Sequence, residues 1–284
     1  MSAAGKKPHH TQRGKKKKAA GERSSDSFSP PAQKGDNRAE LLFGRQTVLE
    51  ALKAGLPLLS IYLQESASGE IIKEIRARAK EANIPFHTAG KEELEKTVPA
   101  QKHQGVMAFV APFRYSTVAE ILDNKRFPEE PFFLLVLDHL QDPHNVGSLL
   151  RTASLSGVDG VVIPKDRACG ITPAAYKASA GALAYIPVAQ VVNLAREIDN
   201  MKEQGLWIMG ADAEGTTPFY EAPLEVPLAL VLGSEGKGLS RLVKEKCDFL
   251  LQIPTRSTIS SLNVAVAGGL ITYEVYRHRL NIKR

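Results

Sequence analysis

Apolar residues along this chain fall into two alternating spacings separated by short polar breaks. Leu41-Leu42-Phe43-Gly44-Arg45 leads into Thr47 to Ala54, where Val48, Leu49 and Leu52 share one face at helical spacing and Gly55 supplies a stop. Leu58 to Leu63 has the composition of a strand, Ile71 to Ala82 that of an amphipathic helix, and Ile84 to His87 and Val106 to Val110 those of short strands. Lys91 to Lys96 is a charged interruption without an apolar face. Helices alternating with short strands over residues 40–112 predict a small α/β/α unit.

Residues 113–131 hold Arg114, Asp123, Asn124, Lys125, Arg126, Glu129 and Glu130 around one short apolar stretch, Val118 to Leu122, and read as a connector with one or two helical turns. Phe132 to Leu137 then runs apolar without a break, the mark of a central strand covered on both faces. Strand and helix patterns alternate from there: helix 147–156, strand 160–163, helix 173–180, strand 188–192, helix 194–204, strands 206–210 and 228–232, helix 239–246, strand 249–253 and a long last helix from Val264 to about His278. Repetition of strand then helix predicts a parallel sheet with helices on both faces over residues 132–284. The last helix contains Gly268 and Gly269, which lower helix stability by roughly 1 kcal/mol each relative to Ala and so point to a close packing partner, within the chain or in a second copy.

Charge adds a feature that periodicity lacks. Of 37 Lys/Arg and 31 Asp/Glu, residues 1–38 hold ten against three, leaving 27 against 28 for the rest. The excess is therefore in the tail, around Lys15-Lys16-Lys17-Lys18, among Gly, Ser, Pro and Gln with almost no large apolar residue. Such a composition predicts disorder, serving either as a solubilising extension or as an electrostatic arm toward a polyanion such as RNA. The tail lacks the apolar core of a signal peptide, and no stretch is long and apolar enough to span a membrane. Two cysteines, Cys169 and Cys247, form no CxxC pair, which suits a reduced, cytoplasmic protein in which both thiols pack. His139 and His144 lie near Asp138 and Asp142, but Pro143 interrupts any register that would converge ligands, so no metal is predicted.

Three segments in the second half carry candidate chemistry: Asn145-Val146-Gly147-Ser148-Leu149-Leu150-Arg151, Gly233-Ser234-Glu235-Gly236-Lys237-Gly238, and Ile253-Pro254 running on to Ser260-Ser261-Leu262-Asn263. Each follows a strand-like run and precedes a helix-like one, which places its polar residues at the carboxyl ends of strands, where open α/β sheets build sites. The glycine spacing at 233–238 fits neither the dinucleotide fingerprint nor the phosphate-binding loop. Singly, the segment is read as a strand-capping turn, Asn145 and Asn263 as helix caps, and Arg151 with Glu235 as a surface ion pair.

Together, in this order, the three segments resemble the signature motifs of the SpoU (TrmH-like) family of knotted RNA methyltransferases, with Ser148 where many relatives have Ala. Leu42 to Val48 and His103-Gln104-Gly105-Val106 are similar to the opening and closing signatures of the RNA-binding domain that precedes the catalytic one in bacterial 23S rRNA guanosine 2′-O-methyltransferases. The resemblance implies a deep trefoil knot in the C-terminal parallel-sheet domain, with S-adenosylmethionine bent against Gly233, Ile253 and Leu262 beside Ser261. It also implies a homodimer formed near the last helix, in which each active site borrows from both subunits.

The implied reaction is methyl transfer to a ribose 2′-hydroxyl of RNA, most like that on a guanosine of large-subunit ribosomal RNA. Arg151 is often described as the family's general base; a guanidinium that stays protonated is better suited to holding phosphate and stabilising a developing alkoxide. Asn145 is expected to orient Arg151 or the ribose, Glu235 to fix an arginine or the substrate, and Asn263 to bind cofactor or nucleotide. The alternatives are the same chemistry on transfer RNA, an antibiotic-resistance methylase with the same plan, or a catalytically silent knotted protein acting in RNA binding or ribosome assembly.

Overall fold

The computed structural model describes residues 1, 39–98, 100–256 and 261–282, so the basic tail and Ser260 lie outside the described residues. Its first layered unit comprises β1 (Glu40–Phe43), α1 (Arg45–Lys53), β2 (Leu58–Gln64), α2 (Glu70–Glu81), β3 (Phe86–Ala89), α3 (Lys91–Glu95), α4 (Ala100–His103) and β4 (Val106–Val110). The sheet order is β1-β4-β2-β3, with only the β2–β3 pair parallel. Period-two alternation sorts its side chains. Ile61, Leu63, Val106 and Ala108 face α1 and α2, whereas Tyr62, Met107 and Phe109 pack with Leu94 of α3 on the other side. The charged interruption at Lys91 to Lys96 is thus a helix whose single buried residue, Leu94, serves the second face.

The second unit contains α5 (Val118–Asp123), β5 (Phe133–Asp138), α6 (Pro143–Leu155), β6 (Gly160–Pro164), α7 (Pro173–Ala178), β7 (Val188–Val191), α8 (Leu194–Glu203), β8 (Trp207–Ala211), β9 (Thr217–Pro218), β10 (Leu228–Gly233), α9 (Arg241–Lys246), β11 (Phe249–Gln252) and α10 (Val264–Ile282). Its seven strands are all parallel, in the order β7-β6-β5-β10-β8-β11-β9. Every residue of β5 is buried. Phe133, Leu135 and Leu137 point to α6, α7 and α10, while Leu134 and Val136 point to α5, α8 and α9. Burial of each such side chain contributes on the order of 1.5–3 kcal/mol.

The connector is packed over part of its length. Ser116 bridges to Ala189 beside β7, Thr117 and Glu120 form a reciprocal cap on α5, and Val118 and Ile121 are buried against the second sheet. A Cβ at Gly160 would lie 2.6 Å from Ile121 Cγ2, so that glycine admits the helix. The two units also meet directly, Lys177 of α7 pairing with Glu50 of α1 at 2.6 Å, and the connector is tied to the second unit by the Tyr115 hydroxyl, which accepts from the Ile171 N–H.

On α10 the two glycines differ. A Cβ at Gly268 would approach Leu232 Cδ1 to 2.5 Å and Leu149 Cδ2 to 2.6 Å, so its close partner is a pair of side chains in its own chain and not another backbone. Gly269 meets nothing within 4 Å among the described residues. It lies beside an exposed apolar stripe, Val266, Leu270 and Tyr273.

Candidate active site

Parallel strands bring all three motif segments to one edge of the sheet. Asp138 and Gly233, the last residues of β5 and β10, are register partners, and β11 ends beyond β8 on the same side. Helix α6 begins earlier than expected: Asp142 caps it by accepting from the His144 N–H at 3.0 Å, and Pro143 takes the first turn, where its missing donor does no harm. Asn145 is therefore the third residue of a rigid helix and not part of a loop.

From that position the Asn145 Nδ2 donates to Glu235 Oε1 at 2.6 Å, and its Oδ1 accepts from Asn263 Nδ2 at 3.0 Å. The carboxylate only accepts, which sets the orientation of the Asn145 amide and then that of Asn263. Asn263 Oδ1 in turn accepts from the N–H groups of Ala265 and Val266. It is at once a helix cap for α10 and the far end of a relay that links the three segments.

Glu235 is presented by a tight hairpin. Ser234 and Gly238 exchange two backbone hydrogen bonds, at 3.0 and 2.9 Å, with Gly236 and Gly238 at φ 76° and 66°. A Cβ at Gly233 would lie 2.1 Å from the Gly238 carbonyl carbon. The main chain that exploits the bareness of Gly233 is thus the hairpin's own return.

Asp138 is a site residue that sequence reasoning missed. It is buried, its Oδ2 accepts from the Ser240 N–H at 2.6 Å, and its Oδ1 lies 2.5 Å from His139 Nδ1. One carboxylate thereby ties the end of β5 to the far end of the Glu235 hairpin. A charged residue closing an otherwise wholly apolar strand was the signal.

Arg151 stands apart from the relay. Six residues beyond Asn145, it lies roughly 120° around α6 and about 9 Å along its axis. It shares an exposed stripe with His144, Ser148 and Leu155, and has no hydrogen bond or ion pair among the described residues. Among the described residues neither Asn145 nor Glu235 bonds to Arg151; the two side chains bond to each other.

Comparison with known proteins places this geometry. The SpoU rRNA Methylase family model matches residues 133–273, and a model for RNA 2′-O ribose methyltransferase substrate binding matches residues 41–116. A protein of Staphylococcus haemolyticus (strain JCSC1435), named as a TrmH family tRNA/rRNA methyltransferase, is 44% identical over 239 residues, covering 84% of this chain and 96% of that protein.

The chain belongs to the SpoU (TrmH) family of RNA methyltransferases.

A further relative from Bacillus subtilis (strain 168), YacO, is 43% identical over 84% of this chain and 96% of its own length. The SpoU methyltransferase AviRb from Streptomyces viridochromogenes, solved in complex with the cofactor AdoMet, shares the fold at a TM-score of 0.60 and 22% identity, covering 86% of this chain and 91% of that one.

The residues expected to hold a SpoU-type methyl donor have suitable chemistry. Gly233 and Ile253 sit where β10 and β11 end, Ile253 half-buried against the core, and Leu262 leaves 42% of its surface exposed next to Asn263. Backbone polar groups with apolar side chains at strand ends suit an adenosyl group. Ser261 is exposed on the same approach to α10. Burial raises both thiols, that of Cys247 up to about 12, which fits packing residues better than nucleophiles.

Proposed function

We propose that this protein transfers a methyl group from S-adenosylmethionine to a ribose 2′-hydroxyl of RNA, on a guanosine of large-subunit ribosomal RNA, and that it acts as a cytoplasmic homodimer. The relay Glu235–Asn145–Asn263 carries the reading, since it joins residues up to 118 positions apart at the strand ends where the donor-binding candidates lie. Residues 40–112 recognise folded RNA, 113–131 connect, and 132–284 transfer the methyl group, with the basic tail of residues 1–38 assisting encounter. The location of β11, late in sequence yet between β8 and β9, is compatible with the family's trefoil knot.

When bound, the donor supplies an electrophilic methyl group on a sulfonium; Gly233, Ile253, Ser261 and Leu262 would hold it. Asn145 and Asn263 position the ribose through their amides, with Glu235 fixing their orientation. Arg151 holds the phosphate beside the target and stabilises negative charge on the 2′-oxygen as its proton passes to phosphate or water. Its separation from the relay in one chain supports a site shared between two subunits. So do the exposed apolar side chains on the two packed helices, Leu155 of α6 and Val266, Leu270 and Tyr273 of α10, which a second copy would cover. Among the described residues no helix is long and apolar enough to cross a membrane.

Mapping 2′-O-methyl groups in ribosomal and transfer RNA from cells with and without the gene tests the reading. Loss of one ribosomal guanosine methylation is expected. Loss confined to transfer RNA moves the substrate, and no heat with S-adenosylmethionine in calorimetry leaves only a silent RNA-binding protein.

A further inference from the structure

A cleft of about 730 Å³ opens on the other side of the Glu235 hairpin, between the loops that follow β5, β6 and β7 and the start of α9. None of Gly233, Ile253, Ser261 and Leu262 lines it, whereas Ser234 and Glu235 do. It is therefore distinct from the donor-binding candidates and shares one wall with the relay.

We propose that this cleft holds the RNA strand next to the methylated nucleotide; the inference rests on the RNA methyltransferase reading and adds to it a path for the substrate. Three cations line the cleft: Arg241, which is ion-paired with Glu245 of its own helix, and Arg167 after β6 and Lys237 on the hairpin, both exposed and without a hydrogen bond or ion pair among the described residues. The same lining holds two bare apolar side chains, Val192 at 77% exposure and Leu242 at 53%. Cations that have no internal partner suit phosphates, and exposed apolar side chains suit the faces of bases. The acidic members have a use in the same ligand. Asp166 accepts from ribose hydroxyls or base amino groups, while Asp138 is already engaged by His139 and Ser240. The backbone is specialised here too, since His139 and Arg167 hold φ of 60° and 54°, a region few residues other than glycine adopt. A volume of this size takes one or two nucleotides. The shared wall at Glu235 favours RNA over a peptide, because the target ribose must come to the relay that this carboxylate orients.

The test is photocrosslinking of the full-length protein to a fluorescein-labelled 12-nucleotide oligouridylate containing 4-thiouridine, with crosslinked peptides mapped by mass spectrometry. Crosslinks are expected in the peptides carrying Val192 and Leu242. Arg167→Gln and Leu242→Glu, both on exposed side chains, are each expected to lower the yield there about fivefold and to raise KM for unmethylated ribosomal RNA about tenfold while kcat stays within twofold. Crosslinks confined to the front unit or the tail, or unchanged yields in both variants, overturn the proposal, as does a cleft that takes a peptide and gives no crosslink. Calorimetry with S-adenosylmethionine on the same proteins keeps the two ideas apart. A wild type that binds no donor removes the methyltransferase reading whether or not RNA crosslinks in the cleft.

Discussion

Asn145 and Glu235, 90 residues apart in sequence, are joined by a hydrogen bond of 2.6 Å whose acceptor is a carboxylate. Hydrogen bonds to charged groups contribute roughly 1.5–3 kcal/mol, of which about 1.4–2.7 kcal/mol applied to positioning a reacting group corresponds to a factor of about 10 to 100 in rate. Glu235→Ala is therefore expected to lower kcat by about 10- to 100-fold in single-turnover methylation. Thermal stability should barely change, because the side chain is exposed. Full activity in that variant would make the relay a structural ornament of the three loops.

Arg151→Ala should keep fold and donor binding and lose methylation by about 100-fold or more, the size expected when a preorganised charge is removed from the reacting oxygen. Because Arg151 and Asn145 are proposed to meet across subunits, mixing Arg151→Ala with Asn145→Ala protein should restore activity through heterodimers that keep one intact site. Absence of any complementation would confine each site to one chain.

The neighbouring glycines of α10 are expected to respond oppositely. Gly268→Ala forces Leu232 and Leu149 to shift, an overpacking that typically destabilises by about 1–3 kcal/mol. Gly269→Ala meets no obstacle among the described residues and gains up to about 1 kcal/mol of helix propensity. In thermal melts the Gly269→Ala protein should be the most stable of the three, the wild type intermediate and the Gly268→Ala protein the least. Leu270→Glu, on the exposed stripe, should yield a monomer in sedimentation velocity.

Asp159 is buried and accepts from the N–H groups of Arg126, Phe127 and Phe133. Burial raises its pKa above the ordinary aspartate value, with the backbone donors opposing that rise. A raised folded-state pKa means that its stabilising contribution is fully present below the ordinary value and is lost as pH climbs through the folded one. Asp159→Asn turns an amide NH2 toward one of those N–H groups, so a loss of about 1–3 kcal/mol is expected in urea melts at pH 7. The stability difference between wild type and variant should be larger below about pH 4 than at pH 7. A difference that widens with rising pH would contradict this account.

Local patterns were legible wherever one face or both faces of an element were apolar. The amphipathic spacing of Ile72, Ile75 and Ala79 marked α2, and the unbroken run from Phe133 marked β5. Helix α3 escaped because Leu94 is its only buried residue, and β9 because two residues have no periodicity. The first turn of α6 was missed by treating Pro143 as a breaker, although after a capping Asp142 proline favours a helix start.

By itself the sequence determined the element types, the three chemical segments and their order, since side-chain spacing and turn residues act over a few neighbours. Tertiary structure decided which strands lie together, that Asn145 faces Glu235 and Asn263, that Asp138 locks the hairpin, and that Arg151 turns to another face of its helix. Those relations depend on strand pairing and on helix rotation about a core assembled from residues more than 100 positions apart. Spacing along the chain records periodicity; contact between distant loops is settled only when the sheet has closed around its buried strands.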